Sequence, residues 1–255
     1  MLRAIAATLL AILAVDASRA AEATRRVLFI GNSLTYVNDL PNAFASLAPA
    51  GMRLEVDMIA NGGASLADAA RNPMVVSALS RGRYTDVVLQ ERGGDAFCPA
   101  ACQATAAAEL PAMHSARELA RMARAGGARV FYLGTWQSSQ ETNEALEYGE
   151  RAIAKASDAG YVEIAEPRRK LMLRRPGLAW THADGQHPGY ATTAMMALRT
   201  WRAMFGKVPA SAPCVAGEVH YHAPLPGGVL HIDTSLAPRT CLVEAGVAVE
   251  LAEGS

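Results

Sequence analysis

Short apolar runs alternate with longer amphipathic stretches from about residue 25 to residue 205. Residues 27–30 (VLFI) form an apolar run that ends at Gly31, which reads as a buried strand. Residues 54–59 give a weaker second strand, 86–90 (DVVLQ) a third, 129–133 (RVFYL) a fourth and 161–164 a fifth. Strands this short and uniformly apolar are covered on both faces, as in a parallel sheet. Helical stretches lie between them, over 66–80 with Pro73 interrupting, 110–125, 141–159 and 188–205. Gly126, Gly160 and Gly206 stand where the last three should stop. The alternation predicts right-handed βαβ units and a three-layer α/β/α sandwich around a central parallel sheet of about five strands.

The texture changes after Gly206. Residues 207–255 are rich in Pro, Gly and Val, and no long helical pattern runs through them. Residues 229–232 and 247–251 read as strands, so a β-rich C-terminal extension packed on the main domain is expected. At the other end, a basic start at Arg3, an apolar run over 4–15 and Ser18-Arg19-Ala20 read as a signal peptide. The run is too short for a bilayer span, which needs roughly 20 residues. The expected division is residues 1–20 as signal peptide, 21–206 as the main domain and 207–255 as the extension, in a secreted or periplasmic protein without a stable membrane anchor.

The formal net charge is zero. That gives no support to a nucleic-acid partner, whose phosphates call for a basic surface. Four cysteines suit an oxidising compartment. Proximity pairs Cys98 with Cys102 and Cys214 with Cys241, although four cysteines allow three connectivities. The histidines near the carboxyl end match no zinc-site spacing, so no metal and no cofactor are expected.

Two blocks carry candidate chemistry. Gly31-Asn32-Ser33-Leu34-Thr35 follows the first strand directly, and a helix is expected to begin near residues 38–41. This places Ser33 at the carboxyl edge of the sheet, where open α/β sheets bind ligands. The plain alternative is a serine that only caps a helix. Asp184-Gly185-Gln186-His187-Pro188 lies before the last long helix. A serine hydroxyl needs a base to take its proton, and histidine serves near neutral pH. A carboxylate then fixes the histidine's tautomer and stabilises the imidazolium.

Ser33 in a Gly-Asn-Ser-x-Thr block, with Asp184 and His187 in one Asp-x-x-His block, closely resembles the SGNH (GDSL-like) hydrolase superfamily over roughly residues 26–206. The resemblance implies a flavodoxin-like fold and ester hydrolysis through an acyl-serine, with Ser33, Asp184 and His187 catalytic. It implies oxyanion donors from the Ser33 backbone, from a glycine after the second strand (Gly63, or its neighbour Gly62) and from an Asn after the third. The chain has Gln90 there in place of the usual Gly-x-Asn-Asp block. Gln90 could donate through its amide, or it could be a strand-end amide bonded to backbone. Asn32, Gly62 and Trp136 are expected to contact substrate. The expected substrates are esters, with short O-acetyl groups on carbohydrate favoured. The alternatives are a lipase or lysophospholipase of the same fold, or a non-catalytic carbohydrate-binding protein.

Overall fold

The computed structural model describes residues 24–104, 110–216, 228–237 and 240–254. The expected signal peptide lies outside the described residues. The strands are β1 (Arg25–Gly31), β2 (Leu54–Ala60), β3 (Asp86–Gln90), β4 (Arg129–Leu133), β5 (Gly160–Val162), β6 (Cys214–Val215), β7 (Leu230–Ile232) and β8 (Thr240–Cys241). The helices are α1 (Ser33–Tyr36), α2 (Leu40–Ala45), α3 (Leu66–Arg71), α4 (Pro73–Ser80), α5 (Ala100–Ala104), α6 (Pro111–Ala125), α7 (Gln140–Ala156), α8 (Ala165–Arg174), α9 (Tyr190–Phe205) and α10 (Ala245–Glu253).

The central sheet runs β5-β4-β3-β1-β2-β7. The first five strands are mutually parallel, and β7 joins the β2 edge antiparallel. Side chains along a strand alternate between faces, and both faces here are buried. Val27, Phe29, Val88, Phe131 and Leu133 point into one core layer, under α2, α9 and α10; Leu28, Ile30, Val87, Leu89 and Tyr132 point into the other, under α3, α4, α6 and α7. That two-sided burial is why the strands read as uninterrupted apolar runs. The three-layer α/β/α sandwich is the fold predicted from them.

The chain leaves β1 toward β2 on one side and returns as β3 on the other. The order therefore reverses between β1 and β3, and a crevice opens above their carboxyl ends. Gly31 and Gln90 are the last residues of those two strands.

The 66–80 stretch is two helices, parted at Asn72, whose side chain accepts from the Met74 N–H and caps α4. The extension departs from expectation in one place. Residues 247–251, read as a strand, belong to α10, whose Ala248, Leu251 and Ala252 are buried in the α9-side core. Valines favour strands only weakly, and packing of this small-residue face on α9 overrides them. The Ala252 carbonyl at the end of α10 accepts from Arg202 at 3.2 Å and Arg199 at 3.4 Å. Arg175, which caps the end of α8, pairs with Glu250. Disulfides join Cys98 to Cys102 and Cys214 to Cys241, the pairing that proximity suggested.

Candidate active site

Immediately after β1 the backbone turns through Asn32, which is extended at φ −138° and ψ −151°, into α1. The Asn32 Oδ1 accepts from the Leu34 N–H at 3.0 Å, and its Nδ2 donates to the Ala64 carbonyl at 2.9 Å. Ser33, half-buried, is thus the first residue of a short helix fixed at its start. Gln90 lies beneath. Its Oε1 accepts from the Asn32 N–H at 3.2 Å and from Thr35 Oγ1 at 2.8 Å, and its Nε2 donates to the Glu91 carbonyl. There is no room for a larger residue at Gly31, where a Cβ would stand 2.3 Å from Thr35 Oγ1 and 2.6 Å from Gln90 Oε1.

Glu91 is buried one residue further on. Its carboxylate accepts from the Leu66 N–H at the start of α3 and from the Arg92 N–H at 2.7 Å. Burial pushes its pKa up to about 7. Asn32 and Glu91 together tie the turn after β2 to the ends of β1 and β3. Gly62 and Gly63 sit exposed in that turn.

The loop before α9 holds the second block. His187 Nδ1 lies 2.7 Å from Asp184 Oδ2. Asp184 Oδ1 accepts from the backbone N–H groups of Gln186 at 2.9 Å and His187 at 3.0 Å. Those two bonds, with His187 behind them, hold the Asp184 carboxyl well below the usual carboxylate range. His182 Nδ1 also approaches Asp184 Oδ2, at 3.1 Å. With Nδ1 facing the carboxylate, Nε2 is the ring nitrogen able to accept a proton in the neutral imidazole.

Several contacts fix this loop. The His182 N–H donates to the His187 carbonyl at 2.9 Å, and Gly185 turns at φ +76°, a conformation that costs glycine little. Asn38, from the short 3₁₀ turn after α1, donates to the Pro188 carbonyl at 2.7 Å and to Thr193 at 3.1 Å. The serine segment and the histidine loop are therefore bonded to each other. A cleft of about 610 Å³ runs between them, lined by Leu34 beside Ser33 and by Gly185 and Gln186 beside His187.

No family model and no curated protein matches the chain. Among solved structures, a protein from Slackia heliotrinireducens described as a candidate SGNH hydrolase superposes with a TM-score of 0.55 at 27% identity, over 71% of this chain and 99% of that one. In fold and in this match the chain is similar to the SGNH hydrolases. A catalytic mutant of Axe2, an acetylxylan esterase from Geobacillus stearothermophilus, superposes at TM-score 0.53 and 12% identity, over 71% of this chain and 94% of that one. A candidate GDSL-like lipase from Parabacteroides merdae does so at 0.53 and 13%, over 71% and 95%. These last two share the fold alone.

Trp136 lines the cleft. Its strand end is held by buried Glu150, which accepts from the Thr135 N–H and hydroxyl at 2.8 Å and from Tyr161 Oη at 2.8 Å. Asn32 does not fit its expected contact with substrate. It is 2% exposed, and both ends of its carboxamide are used in the scaffold. Gln90 is bonded as the strand-end alternative describes, with its oxygen doubly occupied and its amide turned to the Glu91 carbonyl. Sequence reading missed Asn38, Glu91, His182 and Arg168. None belongs to a local motif, and each acts through partners far away in the chain or in a loop without periodicity. Among the described residues no group of three or more His, Cys, Asp or Glu could hold a metal ion.

Gly189 offers a check on this loop. A Cβ there would stand 2.2 Å from the Ala179 carbonyl oxygen and 2.8 Å from the Thr181 nitrogen, both backbone atoms that cannot swing aside. Gly189→Ala is expected to destabilise the protein by about 2–4 kcal/mol, a fall in Tm of about 5–15 °C. An unchanged melting temperature in calorimetry would contradict the packing described.

Proposed function

We propose that the protein is an exported serine esterase that releases short acyl groups, acetyl above all, from carbohydrate esters. The observation that carries this reading is the His187–Asp184 pair, bonded at 2.7 Å, in a loop that shares one cleft with the segment bearing Ser33. Ser33 Oγ attacks the acyl carbonyl while His187 Nε2 takes its proton. His187 then returns that proton to the departing alcohol oxygen, leaving an acyl ester on Ser33. Water, activated by the same nitrogen, attacks the acyl carbon and frees the acid.

The developing oxyanion needs fixed donors. In this proposal the backbone N–H groups of Ser33 and Gly63 supply them, with Gly62 shaping the turn. The contacts of Gln90 suit a support for the serine turn better than a third donor. The flat ring of Trp136 suits a sugar face. Two disulfides support an oxidising destination, and among the described residues no helix is long and apolar enough to cross a membrane.

The test is hydrolysis of 4-nitrophenyl acetate by the purified protein, followed by treatment with an alkyl fluorophosphonate. Loss of activity should accompany one added phosphonyl group, mapped by peptide mass spectrometry to Ser33. Hydrolysis that survives while Ser33 stays unlabelled would rule the mechanism out.

A further inference from the structure

Arg168, on α8, is the one charged residue among the described residues that line the cleft. It is 5% exposed. Its Nε donates to Thr192 Oγ1 at 2.9 Å, and its Nη2 to Thr181 Oγ1 at 3.0 Å and the Trp180 carbonyl at 3.2 Å. All three acceptors are neutral. Among the described residues no carboxylate pairs with this guanidinium, and no hydrogen bond leaves its Nη1. Buried cations are normally paired, because leaving one unpaired in a poorly solvated site is costly. Burial alone pushes its pKa down to about 10, and no neighbouring charge contributes, so it stays cationic at neutral pH. The guanidinium carbon sits 4.9 Å from the centre of the Trp136 ring, so cation and aromatic wall form one surface of the cleft.

The three bonds to neutral acceptors join α8 to α9 and to residues 180–181. That stapling uses Nε and Nη2 and leaves Nη1 unexplained. We propose that Arg168 binds a carboxylate on the alcohol part of the ester, so that the natural substrate is an acylated acid. This rests on the esterase reading above, since a short acyl group leaves the alcohol part to fill the cleft. A single positive charge with one unused nitrogen matches a monoanion. A dianionic phosphate would bring in one charge with no partner.

The probes are 3-acetoxybenzoate and its neutral twin 3-acetoxybenzamide, which carry the same acetyl group. The wild-type protein is expected to release acetate from the acid with a kcat/KM at least roughly tenfold above the amide, as a charged hydrogen bond implies. In Arg168→Gln the ratio should fall to near one, and Arg168→Lys should recover part of it. A wild-type ratio near one, with both esters hydrolysed, overturns the proposal; so does a ratio unchanged in a folded Arg168→Gln. If that variant does not fold, the wild-type ratio and the lysine variant decide. Calorimetric binding of 3-hydroxybenzoate against 3-hydroxybenzamide separates the two readings. Tighter binding of the acid by tenfold, without turnover of either ester, would sustain Arg168's role and sink the esterase reading. Equal binding would sink the former.

Discussion

Ser33→Ala is expected to lower kcat for 4-nitrophenyl acetate by about 10⁴–10⁶-fold, with the fold intact by circular dichroism. Loss of a nucleophile removes the covalent route, and what remains comes from binding and the oxyanion donors. The substitution is mild for the structure. Asn32, not Ser33, supplies the cap of α1, and Gln90 and Thr35 brace the turn from below. A stability loss therefore gives no ready explanation for a collapse in rate. A residual rate within tenfold of wild type would make Ser33 a bystander and move the chemistry elsewhere.

Asp184→Asn is expected to cost about 10³–10⁴-fold in kcat, with little effect on folding. An Asn oxygen can still accept from the Gln186 and His187 backbone N–H groups, so the loop keeps its shape. The amide nitrogen would then face His187 Nδ1, which must turn acceptor. The ring proton moves to Nε2, the atom that has to be bare to receive the serine proton. The imidazolium also loses the carboxylate that stabilises it. Steady-state kinetics on the same ester is the measurement. A loss below tenfold would mean that Asp184 only shapes the loop. His182 shares Oδ2 at 3.1 Å, and this makes His182→Ala the control for a second imidazole compensating.

What the chain disclosed by pattern was whatever depends on neighbours in sequence. The runs at β1, β3 and β4 were legible because both faces of each strand are buried. The positions of Ser33 after a strand and of Asp184 and His187 before a helix were legible because each stands in a short block at a strand end or helix start. Helix α8 was missed because Pro167 and a cluster of basic residues mask its pattern; Pro167 is tolerated there in the first helical turn. Helix α10 was misread because its valines look like a strand until α9 is there to cover the alanine and leucine face. The assignments of Asn32 and Gln90 turned on hydrogen bonds to partners 32 and 55–58 residues away, which no local spacing encodes. Arg168 was invisible for a related reason, since an arginine in a basic run says nothing about whether an acid waits beside it.

The antiparallel strand β7 is only three residues long, yet it occupies the outer edge of β2, with His231 set against the buried carboxylate of Asp57 at 2.5 Å. A bare strand edge is a template for any other extended chain, and proteins that leave one open tend to stick to copies of themselves. Shortening this protein to the segment that ends at Gly206 would uncover that edge and the α9 face under α10 together. Strand β7 and helix α10 cover both surfaces, and a version trimmed at Gly206 is expected to aggregate, which size-exclusion chromatography would show.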